Sequence, residues 1–121
     1  GKMDPFIDLV VDSQRFRTKT VTGGGRNPAF NQTFRFNILD GCKFLQIEVW
    51  DEDAVNNDHI GSCRVPLDKA FTTGIDDQWF ELVTRSGKSA GQVHMCLNFA
   101  PRVRSTSHTL APLTHSPVLI D

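Results

Sequence analysis

The chain has 121 residues, with 13 Lys and Arg against 14 Asp and Glu, a formal net charge of -1, and 39% hydrophobic and 22% charged residues. That length closes a single hydrophobic core and is short for two. The composition argues against wholesale disorder, collagen-like repeats and the basic footprint of a nucleic-acid binder, and no apolar run approaches the roughly 20 residues of a membrane-spanning helix, so any membrane contact is expected to be peripheral.

From the start of the chain, short runs of alternating apolar and polar residues recur between turn residues, which is the pattern of an antiparallel sandwich. Strands are expected near residues 6–11, 15–21, 30–38, 44–50, 60–67, 78–83 and 92–99. The alternation is plainest where Leu45, Ile47 and Val49 oppose Gln46 and Glu48, and where Val93, Met95, Leu97 and Phe99 oppose Gln92, His94, Cys96 and Asn98. The separators are Asp12-Ser13, Gly23-Gly24-Gly25 with Asn27-Pro28, Asp40-Gly41 and Ser86-Gly87, residues that accept positive φ or close small hydrogen-bonded rings. Residues 67–71 suit one helical turn, and nothing else reads as helix, so a parallel βαβ enzyme scaffold has little support. From Pro101 onward Ser, Thr, His and Pro dominate, without periodicity until Val118-Leu119-Ile120. The expected organisation is one β-sandwich over residues 1–100 and a tail over 101–121, disordered or docked on a sheet edge.

Cys42, Cys63 and Cys96 are odd in number, widely spaced and in no metal-ligand pattern. Together with a start that lacks a signal-peptide pattern, they point to a reducing, cytoplasmic setting. His59, His94, His108 and His115 stand in no nucleophile or metalloprotease motif, and no catalytic residue is assigned. His94 falls on the polar face of its strand, where solvation is expected, and Trp50 and Trp79 are expected to pack under the loops or across the sheet.

The segment richest in chemistry is the acidic loop of residues 49–61. Asp51 and Asp53 are two apart at a strand end and so begin on one face, and Asp58 returns to that place at the far side of the loop. Carboxylates gathered on one tip repel each other and favour a cation. Calcium suits them because it takes six to eight oxygen ligands in flexible geometry, whereas softer metals ask for His or Cys. The bland alternative is a solvated acidic turn. In the second strand Arg15, Arg17 and Lys19 share one face, which reads either as an ordinary wet face or as a contact for anionic headgroups. Val55 on the loop tip reads either as a membrane-inserting residue or as a single exposed valine. The glycine run before Arg26 is not a nucleotide-binding loop, because Asn27-Pro28 follows it rather than Lys and Ser or Thr.

Over roughly residues 1–100 the chain resembles the C2 family. Residues 1–6, Gly-Lys-Met-Asp-Pro-Phe, resemble its "SDPYV" start of a strand; residues 26–34, from Arg26 to Phe34, resemble "NPxWNExF"; residues 49–61 resemble "VxDxDxxxxxDxIG". The resemblance implies an all-β, antiparallel Greek-key sandwich of the C2 type, in which seven of the usual eight strands are recognisable. It further implies Ca2+ held at one end by Asp4, Asp51, Asp53 and Asp58 and by the backbone carbonyl of Glu52, with Arg26 at the same tip. The partners implied are acidic phospholipids, phosphatidylserine or phosphoinositides, with recruitment from the cytoplasm to a membrane surface on calcium binding. The loop between Asp53 and Asp58 is one residue shorter than the family pattern, and the family's first strand and its earlier loop aspartate have no counterpart in this chain. A gap in the sheet invites filling by the tail, by upstream sequence or by a second copy in a homodimer. The alternative function is calcium-independent protein binding through a sheet edge or the basic strand face.

Overall fold

In a computed structural model, residues 2–101 are described in full and residues 111–120 as backbone. β1 (Pro5–Val11) turns at Asp12, which takes φ 52, into β2 (Gln14–Arg17). Aspartate tolerates that left-handed conformation better than most residues. β3 (Arg35–Ile38), β4 (Phe44–Asp51) and β5 (Asp58–Pro66) follow; then comes the short helix α1 (Asp68–Thr73), closed by Gly74 at φ 87, whose N–H reaches the Ala70 carbonyl. β6 (Ile75–Val83), β7 (Ser89–Phe99) and β8 (Ala111–Ile120) complete the chain.

All pairings are antiparallel, in the order β2-β1-β4-β5-β6-β7-β8-β3. β5 and β6 meet through the single pair Ser62 and Val83, so the ribbon folds there into two layers, β2-β1-β4-β5 and β6-β7-β8-β3. Between them lies one core: Ile7, Leu9 and Val11 of β1 and Leu45, Ile47 and Val49 of β4 meet Leu82 of β6, Val93, Met95 and Leu97 of β7, and Phe36 and Ile38 of β3. The alternation expected of β4 and β7 therefore sets their burial, as period two requires.

β6 and β7 begin earlier than expected, at Ile75 and Ser89, and two other strands shorten. The second strand is limited to Gln14–Arg17, although the backbone stays beside β1 through bonds from Thr18 N to Ile7 O and from Val21 N to Pro5 O. The third strand begins only at Arg35, because Asn31 at φ 49 interrupts extension after the buried Phe30.

β8 is the element least visible in the sequence. It lies between β7 and β3, pairing Phe99 with Leu113 and Val93 with Ile120 on one side and Arg35 with Thr114 and Ile38 with Ala111 on the other. It is the ladder partner of β3. Its two prolines, which have no N–H to donate, sit where a ladder tolerates them. Pro112 precedes the first β7 pair, and Pro117 falls where the β7 register shifts between His94 and Cys96.

Candidate functional site at the acidic loop end

β1, β4 and β5 bring the acidic residues to one end of the sandwich. Asp51 closes β4, opposite Pro5 at the head of β1 and opposite Asp58 at the head of β5. Backbone bonds then tie the neighbouring loops together. The Asp4 N–H donates to Asp51 Oδ1 at 2.9 Å, and the Glu52 N–H donates to the Asp4 carbonyl at 2.8 Å. The Gly23 N–H donates to Asp4 Oδ1 at 2.6 Å, from a glycine at φ 66 that a side chain would strain. The glycine run thus folds onto Asp4.

The rest of the acidic loop is exposed. The Val55 N–H approaches Asp53 Oδ1 at 3.3 Å, the Asp53 N–H approaches Asn57 Oδ1 at 3.3 Å, and the Thr20 hydroxyl donates to Glu52 Oε1 at 3.0 Å. Val55 is 84% exposed at the tip. Arg26 is exposed beside the same end, on the rim of a cleft of about 600 Å3 that it lines with Met3, Pro5, Val49, Ile60 and Ala90.

The donor set is all oxygen, which fits a hard cation such as calcium. Its present geometry is open: among the described residues, no three His, Cys, Asp or Glu side chains converge as a metal-ligand cluster. The Asp4 and Asp51 carboxylates each accept a backbone N–H, satisfying with one oxygen what a cation would otherwise attract.

The basic strand divides into unlike members. Arg15, Arg17 and Lys19 all face outward and are exposed, as the alternation with buried Thr18 requires. Arg17 is engaged: Nε lies 2.7 Å from Asp8 Oδ1, and the guanidinium sits 4.4 Å from the Phe6 ring centroid. That hydrogen bond raises the Arg17 pKa further above its ordinary range. Arg15 and Lys19 have no carboxylate partner among the described residues, and neither has Arg26.

Sequence reasoning missed Asp8, which is 3% exposed. The signal was its place opposite Arg17 in the β1–β2 hairpin. Trp79, expected to pack under the loops or across the sheet, is 42% exposed on β6 and tilted against its cross-strand neighbour His94, whose Nε2 hydrogen-bonds Asp77. His59 is the more enclosed histidine, 2.7 Å from Glu48 and edge-on to Trp50. No helix among the described residues is long and apolar enough to cross a membrane.

A two-layer antiparallel sandwich with acidic loops gathered at one end defines a class of module, and the C2 domain family model matches residues 1–82. The chain belongs to the C2 domain family. It is 33% identical over 106 residues to Synaptotagmin-4 of Arabidopsis thaliana, covering 86% of this chain and 18% of that protein. It is 29% identical over 100 residues to Extended synaptotagmin-3 of Homo sapiens, covering 82% of this chain and 11% of that protein. The chain thus spans less than a fifth of the synaptotagmins it matches. Among solved structures, a C2 domain-containing protein superposes with a TM-score of 0.76 at 26% identity, over 87% of this chain and 78% of that one. A calcium-bound pair of C2 domains from Extended-Synaptotagmin 2 shares the fold with a TM-score of 0.58 at 21% identity, over 97% of this chain and 36% of that one.

Proposed function

We propose that this domain docks on acidic phospholipid membranes through its acidic loop end, in a calcium-dependent way. The observation that carries the reading is the placement of Asp4, Asp51, Glu52 and Asp58 on neighbouring segments at one end of the sandwich, tied by the Asp4–Asp51 and Glu52–Asp4 bonds and the Asp51–Asp58 pairing. Asp4, Asp51, Asp53 and Asp58, with the Glu52 carbonyl, would hold the ion. Bound calcium supplies positive charge at a tip that otherwise repels anionic headgroups.

The chain's own residues do the remaining work. Asp4 and Asp51 would hold the ion with carboxylate oxygens that now accept the Gly23 and Asp4 N–H groups, so binding would compete with those two bonds. Arg26 contacts a lipid phosphate beside the tip, and Val55, the most exposed large apolar side chain described, enters the interface. Arg15 and Lys19 add a second anionic contact on the strand face, each gaining about 1 kcal/mol near an acidic leaflet. Phosphatidylserine and phosphoinositides are the headgroups this charge pattern suits, and the domain would move between the cytoplasm and the membrane surface as calcium changes.

The test is a thermal melt in calcium and in chelator, paired with cosedimentation on vesicles of rising phosphatidylserine content. A ligand that binds the folded state raises the melting temperature by mass action. Calcium is expected to raise it and to promote vesicle binding, and Asp51→Asn with Asp53→Asn to remove both effects. Identical melts and identical vesicle binding with calcium and chelator would overturn the calcium-dependent reading.

A further inference from the structure

β6 is an unusual strand for a surface. It pairs with β7 along its length, but on its other side only Val83 has a ladder partner, Ser62 of β5. From Asp77 to Leu82 that side is an open sheet edge among the described ladders. Gln78 is exposed although its position in the alternation points it toward the covered face, so the layers part near the middle of the strand. An unpaired edge presents backbone donors and acceptors to any extended chain that can reach them.

The outer face of the same strand alternates two kinds of side chain. Ile75, Trp79 and Val83 are three of the six exposed large hydrophobic residues described, so half of that exposed apolar set lies on this one strand. Between them stand Asp77 and Glu81. Asp77 is hydrogen-bonded by His94, and Glu81 by Ser89 and Gln92, which hold both carboxylates on the outer face. The resulting order is apolar, acidic, apolar, acidic, apolar at every second residue.

We infer that the open edge of β6 accepts an extended, basic and apolar segment of a partner protein as an added strand. Cross-strand neighbours stand close enough for side chains to choose one another, so the acceptable strand carries an apolar residue opposite Trp79 and Lys or Arg opposite Asp77 and Glu81, along the stretch that β5 leaves free before Val83. A second copy of β6 is a poor occupant. Antiparallel pairing centred on Trp79 would set Asp77 opposite Glu81 twice, and like charges directly opposite are destabilising. The edge is therefore guarded against its own kind and open to a strand of opposite charge. This surface starts beside the cleft that Ser89 and Arg26 both line and runs along β6 away from the acidic loop end, and strand addition there needs neither calcium nor lipid.

The probe is a short peptide matched to the part of β6 from Asp76 to Leu82, with valine at its centre opposite Trp79, lysine two places to either side, and threonine elsewhere. That pattern reads the same in both directions and so does not presuppose strand polarity. Amide chemical shifts of the full chain, recorded in chelator without lipid, are expected to move along β6 between Asp77 and Leu82. The same peptide with glutamate for lysine should bind about tenfold more weakly, two charge pairs being lost. Methylating alternate peptide nitrogens should abolish binding, because strand addition needs the backbone. Asp77→Lys with Glu81→Lys should reverse the preference toward the glutamate peptide, with a melt confirming the fold. Absence of binding, equal binding of the methylated peptide, an unchanged preference in the reversed variant, or shifts confined to β2 or the acidic loop would each overturn the inference.

Discussion

The guanidinium of Arg17 closes over Asp8 and Phe6 on the outer face of β1, with Nε 2.7 Å from Asp8 Oδ1, Nη2 3.1 Å from Oδ2, and the ring centroid 4.4 Å away. Asp8 is 3% exposed, so its charge is kept in the fold by this one bidentate partner. The three cations of the basic strand consequently divide into a structural one and two free ones. Arg17→Ala is expected to cost about 2 kcal/mol, the penalty of a buried acceptor left without its partner. Arg15→Ala and Lys19→Ala should stay within about 0.5 kcal/mol, as exposed substitutions do. Urea unfolding of the three variants measures the difference; three equal midpoints would show that Asp8 is satisfied by other means.

Gly61 offers a steric test. A Cβ placed there would stand 2.8 Å from Ala90 Cβ and 3.3 Å from Leu82 Cβ, at the corner where the β5 and β6 layers meet. Gly61→Ala is expected to destabilise the domain by about 1–3 kcal/mol, the usual cost of overpacking. The companion Gly61→Ala with Ala90→Gly should recover part of the loss, since it removes the closest contact. A single variant as stable as the parent would show that the corner opens freely.

Burial pushes the Cys63 thiol above its ordinary pKa, and burial followed by the charge of Asp12 does the same for Cys42. Both thiols should therefore be alkylated more slowly than free cysteine near pH 8, and urea should remove the protection. The sign for stability follows from proton counting. As pH rises through the ordinary thiol range, the unfolded chain releases protons that the folded chain keeps, so stability falls with rising pH. Cys63→Ser, which removes one such group, should flatten that part of the profile, and mass spectrometry of labelled peptides reads the rates.

The place of β8 makes a prediction about the end of the chain. β3 has its ladder with β8, and β7 has β8 on the side away from β6. Ending the chain at Pro101 should leave both edges open and promote association or lower the melting temperature. Light scattering over a concentration series compares the two lengths. A shortened chain that stays monomeric and melts unchanged would show that β8 contributes nothing to closing the sheet.

The period-two runs determined most of the architecture by themselves. In Leu45, Ile47 and Val49, and in Val93, Met95 and Leu97, every second side chain is apolar, and burying that set on one face leaves a strand a single register and a single orientation. The turns were legible for an equally local reason, since Asp12, Gly41 and Gly87 occupy the left-handed conformations their chemistry tolerates. The acidic residues were legible as a group because Asp51, Asp53 and Asp58 lie close in sequence. What only the tertiary structure decided was relation across the sheet. Asp8 acquires its partner only when the β1–β2 hairpin sets Arg17 opposite it, and Trp79 comes against His94 only when β6 pairs with β7. Residues 111–120, with two prolines and little alternation, become a strand because β7 and β3 present two unfilled ladders on either side of them. Local propensity is weak in such a segment, and the backbone groups of its neighbours supply the pairing that its own side chains do not announce.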